Sequence, residues 1–158
     1  MPSGELPRVT RKGLWFAGLL AALLALALPS AAIDNPDLPD YVAAFAARDH
    51  RERSDIDNSP TPEAVRAAYA SYERFLQGEL DAALTALRGK VADSERRRLD
   101  AAQRRWLAWR DAEGDFITQQ WTNAAYGSSA GLSRQAYRTA LLRDRVKALL
   151  QYLKDQPA

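Results

Sequence analysis

Residues 99–116 read LDAAQRRWLAWRDAEGDF, and this stretch decides the fold that the sequence predicts. Positions three and four residues apart share one face of a helix, and here that face carries both apolar and charged residues. A charge is tolerated in an apolar seam only when it is paired. We therefore expect a packing helix in which Trp106 is buried and Arg110 forms an internal ion pair with an acid on its own or a neighbouring helix. The residues on this face are Leu99, Ala102, Trp106, Arg110, Glu113 and Ile117.

Helical periodicity continues on both sides of this stretch. Thr61-Pro62-Glu63 and Asp93-Ser94-Glu95 are typical of helix starts, and they predict helices that reach about Gly89 and Trp121. A last helix is expected over 133–154 and a short one over 40–50, followed by a charged linker over 51–60. No stretch alternates with period two. The predicted fold is all-α, a helical bundle of three long helices plus one short N-terminal helix with antiparallel neighbours.

Residues 1–32 have the composition of a secretory signal peptide. Arg8, Arg11 and Lys12 precede an uninterrupted apolar run over 13–28, and Ser30-Ala31-Ala32 supplies small residues for cleavage. The sixteen apolar residues fall short of the roughly 20 that span a bilayer, and an uncleaved N-terminal anchor is the alternative. We therefore expect a periplasmic or secreted protein.

Charge divides the rest of the chain. Residues 33–63 hold eight acids and three arginines, whereas residues 64–158 hold sixteen basic and eleven acidic residues. We expect an acidic N-terminal segment with a short helix and linker over 33–60, and a helical bundle domain over 61–158. The sequence contains no cysteine, which excludes disulfides, thiolate nucleophiles and cysteine-based zinc sites.

Residues suited to catalysis or metal binding are not grouped in this sequence. His50 is the only histidine, and an isolated histidine is expected at the surface. Asp111, Glu113 and Asp115 lie two apart, and such positions face different directions on a helix. We predict no catalytic residue, no metal site and no cofactor.

The small-residue loop over 122–131, TNAAYGSSAG, is a candidate surface for a partner. Ser128 and Ser129 within it match no nucleophile motif. Loops on rigid scaffolds frequently carry recognition, so these two serines are predicted to contribute to partner contact.

A band of arginines precedes and overlaps the central stretch: Arg96, Arg97, Arg98, Arg104 and Arg105. Arg97 and Arg104 lie seven apart, on one side of the helix. Ion pairs of Asp100 with Arg96 and Arg104 are expected to neutralise part of the charge. The band is interpreted as a solvated face. The alternative is a surface for anionic envelope polymers or an acidic protein; nucleic acid is excluded as a partner because the chain is exported.

Residues 102–113, AQRRWLAWRDAE, resemble the signature of the N-terminal domain of LprI-type lysozyme inhibitors, a family of small exported bacterial proteins. Leu80-Asp81 resembles the preceding helix of that family, and residues 141–145, LLRDR, resemble its final-helix motif. The resemblance extends over about 72–149. The residues assigned to the structural motif are Gln103, Trp106, Arg110, Asp111, Glu113 and Arg145.

The resemblance also implies two cysteines that this chain lacks. Family members usually carry one directly after the motif glutamate, where Gly114 stands, and another early in the last helix, near Tyr137. Packing of Tyr137 and Trp109 is expected to replace the missing cross-link.

The resemblance implies a binding or inhibitory module that acts on a lysozyme-like protein. Because such lysozymes are usually basic, the acidic segment over 34–57 and the loop over 122–131 are the expected contact regions. The alternative is an envelope stress or chaperone-like protein whose arginine face binds anionic polymers or unfolded clients. No enzymatic activity is predicted, and membrane contact is expected only through an uncleaved leader.

Overall fold

The structure, a computed structural model, describes residues 39–156, so the expected signal peptide lies outside the described residues. Within this range there are helices and no strand, which confirms the all-α bundle of three long helices and one shorter N-terminal helix. A single-turn helix and a 3₁₀ turn, Gly127–Ser129, occupy the expected loop. The helices are α1 Tyr41–Asp57, α2 Pro62–Lys90, α3 Asp93–Gln120, α4 Asn123–Tyr126 and α5 Ala130–Lys154.

Local hydrogen bonds confirm both helix starts that the sequence predicted. The Thr61 hydroxyl accepts a bond from the Ala64 amide, with 3.1 Å between the atoms. Glu95 reaches back to accept a bond of 3.0 Å from the amide of Ala92, just before α3. These contacts satisfy amide groups that have no partner within the helix.

Helix α1 is longer than expected and ends at Asp57 rather than near His50. Residues 51–57 are polar, and this is why they were expected to form a linker. However, Ile56 packs against the hydrophobic core, and this tertiary contact extends the helix beyond its local preference. Residues 37–158 form one compact unit, so α1 belongs to the bundle.

The hydrophobic core lies between α1, α2 and α5. Burial of a leucine side chain contributes roughly 1.5–3 kcal/mol relative to exposure, so the row of leucines on α2 and α5 dominates the stability. Phe45 of α1 closes the core and stacks on Phe75 of α2, with 6.2 Å between ring centroids. The buried residues of this core are Phe45, Tyr72, Leu76, Leu80, Ala83, Leu84, Leu87, Leu142, Val146, Leu149, Leu150 and Leu153.

Ion pairs define how the core helices run. Asp40 and Asp49 of α1 contact Lys154 and Arg143 of α5, at 3.7 and 2.6 Å, so α1 and α5 are antiparallel. The short turn over 58–61 makes α1 antiparallel to α2 as well. Helices α2 and α5, which share the most extensive interface, therefore run parallel to each other.

Helix α3 lies on the outside of this core and packs mainly against α5. Of its 28 residues, Gln103 and Ile117 are buried, while Leu99 and Trp106 are partly buried against the core. The stretch expected to be the centre of the fold is thus its outermost long helix, because Gln, Arg and Glu occupy much of its inward face. Among the described helices, none is both long and apolar enough to cross a bilayer.

Candidate partner-binding surface

Four of the six motif residues meet where α3 packs on α5. The Arg145 Nε donates a hydrogen bond of 3.0 Å to the buried side-chain oxygen of Gln103. The guanidinium carbons of Arg110 and Arg145 lie 5.5 and 5.7 Å from the centre of the Trp106 ring. Cation–π contacts of this kind contribute about 0.5–2 kcal/mol each. The cluster therefore fixes the position of α3 on the bundle.

Arg145 keeps its charge in this cluster without a carboxylate partner among residues 39–156. Burial lowers the pKa of Arg145, and its near neighbours are the neutral Gln103 and Trp106. An arginine starts from a pKa far above neutrality, so the guanidinium remains ionised.

Arg110 pairs with an acid of its own helix, but this pair lies at the surface. Its Nη2 is 2.7 Å from the Asp111 carboxylate, and the two side chains are 32% and 67% exposed. The expectation of an internal ion pair is therefore wrong, because Asp111 faces away from the core. Glu113 is partly buried and takes no part in the pair.

The internal ion pair of this protein joins α1 to α5. Asp49 has only 3% of its side chain exposed and receives hydrogen bonds of 2.8 and 2.6 Å from Nε and Nη2 of Arg143. The Tyr72 hydroxyl of α2 donates a third bond to the same carboxylate. One carboxylate thus connects all three core helices, at a residue that the sequence interpretation had placed at the end of a short helix.

The contacts of this carboxylate shift two pKa values. Burial raises the pKa of Asp49, but the hydrogen bonds from Arg143 and Tyr72 outweigh it and leave the pKa below its ordinary value. Burial and the hydrogen bond to Asp49 together raise the pKa of Tyr72 well above its usual value. The negative charge is therefore held on Asp49 at neutral pH.

Four aromatic side chains cluster at the end of the bundle where α3 finishes and α5 begins. Trp121 is central, and Tyr137 packs on it with 4.4 Å between ring centroids. Tyr126 stacks on Trp121 at 6.2 Å, and Phe116 meets it edge-on at 6.5 Å. Phe116, Tyr126 and Tyr137 are each about half exposed. We call Phe116, Trp121, Tyr126 and Tyr137 the aromatic cluster.

The loop that carries this cluster has a defined conformation. Thr122 accepts a hydrogen bond of 3.3 Å from the amide of Ala125, and Ser129 donates one of 2.8 Å to the Tyr126 carbonyl. Gly127 has a φ of +60°, which a side chain would disfavour. Ser128 and Ser129 are exposed, so the structure places them where a partner could reach them.

An open cleft of about 360 Å³ separates α2 from α3 and ends on α5. Glu73, Asp111 and Asp115 supply its acids, and Arg110 and Arg138 its bases. A second open pocket, of about 250 Å³, lies beside the buried ion pair. Among residues 39–156, no group of acidic side chains and histidines is arranged to hold a metal ion.

Residues 56–149 match the family model described as Lysozyme inhibitor LprI. The chain belongs to the LprI family. The match includes the end of α1, all of α2 and α3, and most of α5, so it covers both halves of the Asp49-linked core except Asp49 itself. Comparison with curated proteins and with solved structures found no match to this chain.

The two positions where other LprI members are expected to carry cysteine approach each other in this structure. A Cβ on Gly114 would point to the Nε of Arg138, 3.9 Å away, and Arg138 is the neighbour of Tyr137. Tyr137 packs on Trp121, as expected for a residue that replaces a cross-link. Trp109, by contrast, is 49% exposed and has no role in this packing.

The arginine band of this LprI protein is neutralised differently from the expectation. Asp100 pairs with Arg88 of α2 at 2.8 Å, and Arg96 pairs with Asp93 at 3.2 Å. The expected pairs of Asp100 with Arg96 and Arg104 do not form. Asp100 is drawn to α2 because the turn between α2 and α3 brings Arg88 within reach.

Four arginines of the band remain exposed. None of them has an ion pair to an acid in the described part of the chain, although each is surrounded by solvent-facing residues of α3. They include both residues that the sequence singled out as a possible partner surface. We call them the arginine face, which consists of Arg97, Arg98, Arg104 and Arg105.

Proposed function

We propose that this protein is an exported inhibitor that binds a lysozyme-like muramidase and performs no chemistry of its own. The family match over 56–149 carries the proposal, because the matching model is described as a lysozyme inhibitor. The bundle is a suitable scaffold for such a role: its core is closed by leucines and by the Asp49–Arg143 pair, so surface loops are held on a rigid support.

The aromatic cluster and the adjoining loop are the proposed contact surface. Tyrosine and tryptophan provide large, rigid contact area at low entropic cost, and serine, glycine and asparagine provide adaptable hydrogen bonds. This combination occurs here: Tyr126 projects from the loop beside Ser128 and Ser129, all exposed. An exposed aromatic set on a pre-organised loop favours a protein partner with a concave site.

Acidic residues lie at the same end of the bundle. Asp57, at the end of α1, lines a pocket together with Ala136 of α5, one residue before Tyr137. Asp55 is also exposed. These acids would attract a basic lysozyme towards the loop. Asp49, which belongs to the same acidic segment, is buried in its ion pair and is not available for this purpose.

Titration of the protein into a lysozyme turnover assay, with bacterial cell wall as the substrate, tests the proposal. A basic animal-type lysozyme and a bacterial muramidase are assayed in parallel. We expect inhibition at near-stoichiometric concentration for at least one of them. Full activity of both enzymes at micromolar excess of the protein would contradict the proposed function.

A matched pair of tyrosine variants tests the surface. Tyr126 and Tyr152 are 51% and 50% exposed, but Tyr152 lies at the opposite end of α5 from the loop. Central interface residues of this type cost at least about 2 kcal/mol when truncated, which corresponds to roughly 30-fold in affinity. We therefore expect Tyr126→Ala to weaken inhibition by about that factor and Tyr152→Ala to leave it unchanged. An equal effect of both variants would contradict the proposed surface.

A further inference from the structure

An exposed stripe of arginines and aromatic residues runs along the outer side of α3. Arg98, Arg105, Trp109 and Phe116 follow one another at steps of seven, four and seven residues, which keeps them on one line of the helix surface. All four are exposed, and Trp109 and Phe116 have 49% and 51% of their area in solvent. We call these four residues the α3 stripe.

The surroundings of the stripe are basic. Arg97 and Arg104 of the arginine face are exposed on the same helix, beside the stripe. The acids of the second half of α3, Asp111 and Asp115, line the cleft towards α2 instead. The stripe therefore combines positive charge with exposed aromatic rings and is not opposed by the nearby carboxylates.

We propose that the α3 stripe docks this protein on the surface of an anionic phospholipid bilayer. Basic residues beside aromatic or other apolar residues on one helix face are the signature of interfacial helices, whose rings enter the headgroup region while the cations pair with anionic lipids. This goes beyond membrane contact through a leader, since it uses residues of the bundle itself.

Two other occupants fit the stripe less well. A second copy of the chain would bring two arginine faces together, and like charges in an interface are repulsive. A soluble anionic polymer would satisfy the arginines, but it has no apolar phase to receive Trp109 and Phe116. The bilayer surface is the occupant that accounts for both halves of the stripe.

The position of α3 in the fold is suitable for such docking. It is 28 residues long, which corresponds to about 42 Å at a rise of 1.5 Å per residue. Since α3 is the outermost long helix and packs mainly on α5, it can lie along a surface while the core between α1, α2 and α5 stays covered.

Vesicle sedimentation tests the proposal on residues 37–158, which contain the complete core and exclude the apolar leader. Vesicles of phosphatidylcholine alone are compared with vesicles that contain 30% phosphatidylglycerol, at low salt. We expect binding to the anionic vesicles only, with a shift of tryptophan emission to shorter wavelength. Equal binding to both vesicle types, or to neither, would overturn the proposal.

Matched variants identify the residues. Each arginine near an anionic surface contributes a factor of about five in affinity, so Arg98→Gln with Arg105→Gln should reduce vesicle binding by roughly 25-fold. The control replaces Arg51 and Arg74, two exposed arginines of α1 and α2, with the same change in net charge. An equal loss in the control would show attraction by net charge alone and would overturn the proposed site.

The aromatic half needs its own variant. Trp109→Ala with Phe116→Ala should weaken binding to anionic vesicles at least tenfold and leave binding to heparin unchanged. If this variant binds vesicles as tightly as the original protein, the stripe is a polyanion site and the bilayer proposal fails. Circular dichroism and thermal unfolding check that each variant is folded. Lysozyme inhibition in a vesicle-free assay is expected to be unaffected by the arginine variants, so this proposal and the proposed function fail independently.

Discussion

Arg143 of α5 contacts both carboxylate oxygens of Asp49 on α1, ninety-four residues away in sequence. Tyr72 of α2 donates a further hydrogen bond to the same carboxylate. This arrangement places a single buried negative charge at the junction of the three core helices. The stability of the bundle therefore depends on a polar contact as well as on its leucine core.

Replacement of Arg143 by methionine is expected to destabilise the fold by about 3 kcal/mol, because it leaves the carboxylate of Asp49 buried and unpaired. Urea unfolding followed by circular dichroism measures the change. The control is Arg66→Met, which removes a surface pair with Glu63 and should cost less than about 1 kcal/mol. Similar losses for the two variants would contradict the structural role of the Asp49–Arg143 pair.

Stability should fall in acid because of the same carboxylate. The pKa of Asp49 is lower in the folded than in the unfolded protein, so the unfolded state binds more protons as the pH falls. Its contribution is present above the unfolded pKa of about 3.9 and is lost as the pH falls through the folded value. The difference in unfolding free energy between the original protein and Asp49→Asn should therefore shrink below about pH 4. A difference that is constant between pH 7 and pH 2.5 would contradict this assignment.

The two tryptophans of α3 are expected to differ in their effect on stability. Trp106 packs against the core between Arg110 and Arg145, whereas Trp109 is 49% exposed. Trp106→Ala should destabilise the fold by about 3 kcal/mol. Trp109→Ala should change it by less than about 0.5 kcal/mol, as is usual at the surface. Thermal unfolding of both variants checks the contrast, and equal midpoints would show that Trp106 does not hold α3 in place.

Local sequence patterns were sufficient to predict the elements of this fold. The capping residues Thr61 and Glu95 act over three residues, so the starts of α2 and α3 could be read from the chain. The final-helix motif and the α3 motif also meet as the resemblance suggested, through Arg145 and Gln103. These contacts depend on helical spacing and on side-chain type, both of which are visible in the sequence.

The buried ion pair could not be predicted in the same way. Its partners Asp49 and Arg143 belong to the first and last helices, and no local pattern links them. One signal was present: Phe45, Asp49 and Ile56 lie four and seven residues apart, on one face of a helix. The charge of residues 51–57 concealed this face, and Arg110 seemed the better candidate because two tryptophans flank it.

Glycine substitutions test whether the loop conformation matters for the proposed function. Gly78 lies inside α2 with no atom within 4 Å of an added Cβ, so Gly78→Ala should stabilise the protein by about 0.5–1 kcal/mol. Gly127 also has open space around it, but its φ of +60° is strained for any other residue. Gly127→Ala should therefore cost about 1 kcal/mol or rearrange the loop. Because Gly127 follows Tyr126 directly, we expect this variant to weaken lysozyme inhibition as well, while Gly78→Ala leaves inhibition intact. Unchanged inhibition by a folded Gly127→Ala variant would show that the loop does not need its observed conformation to bind a partner.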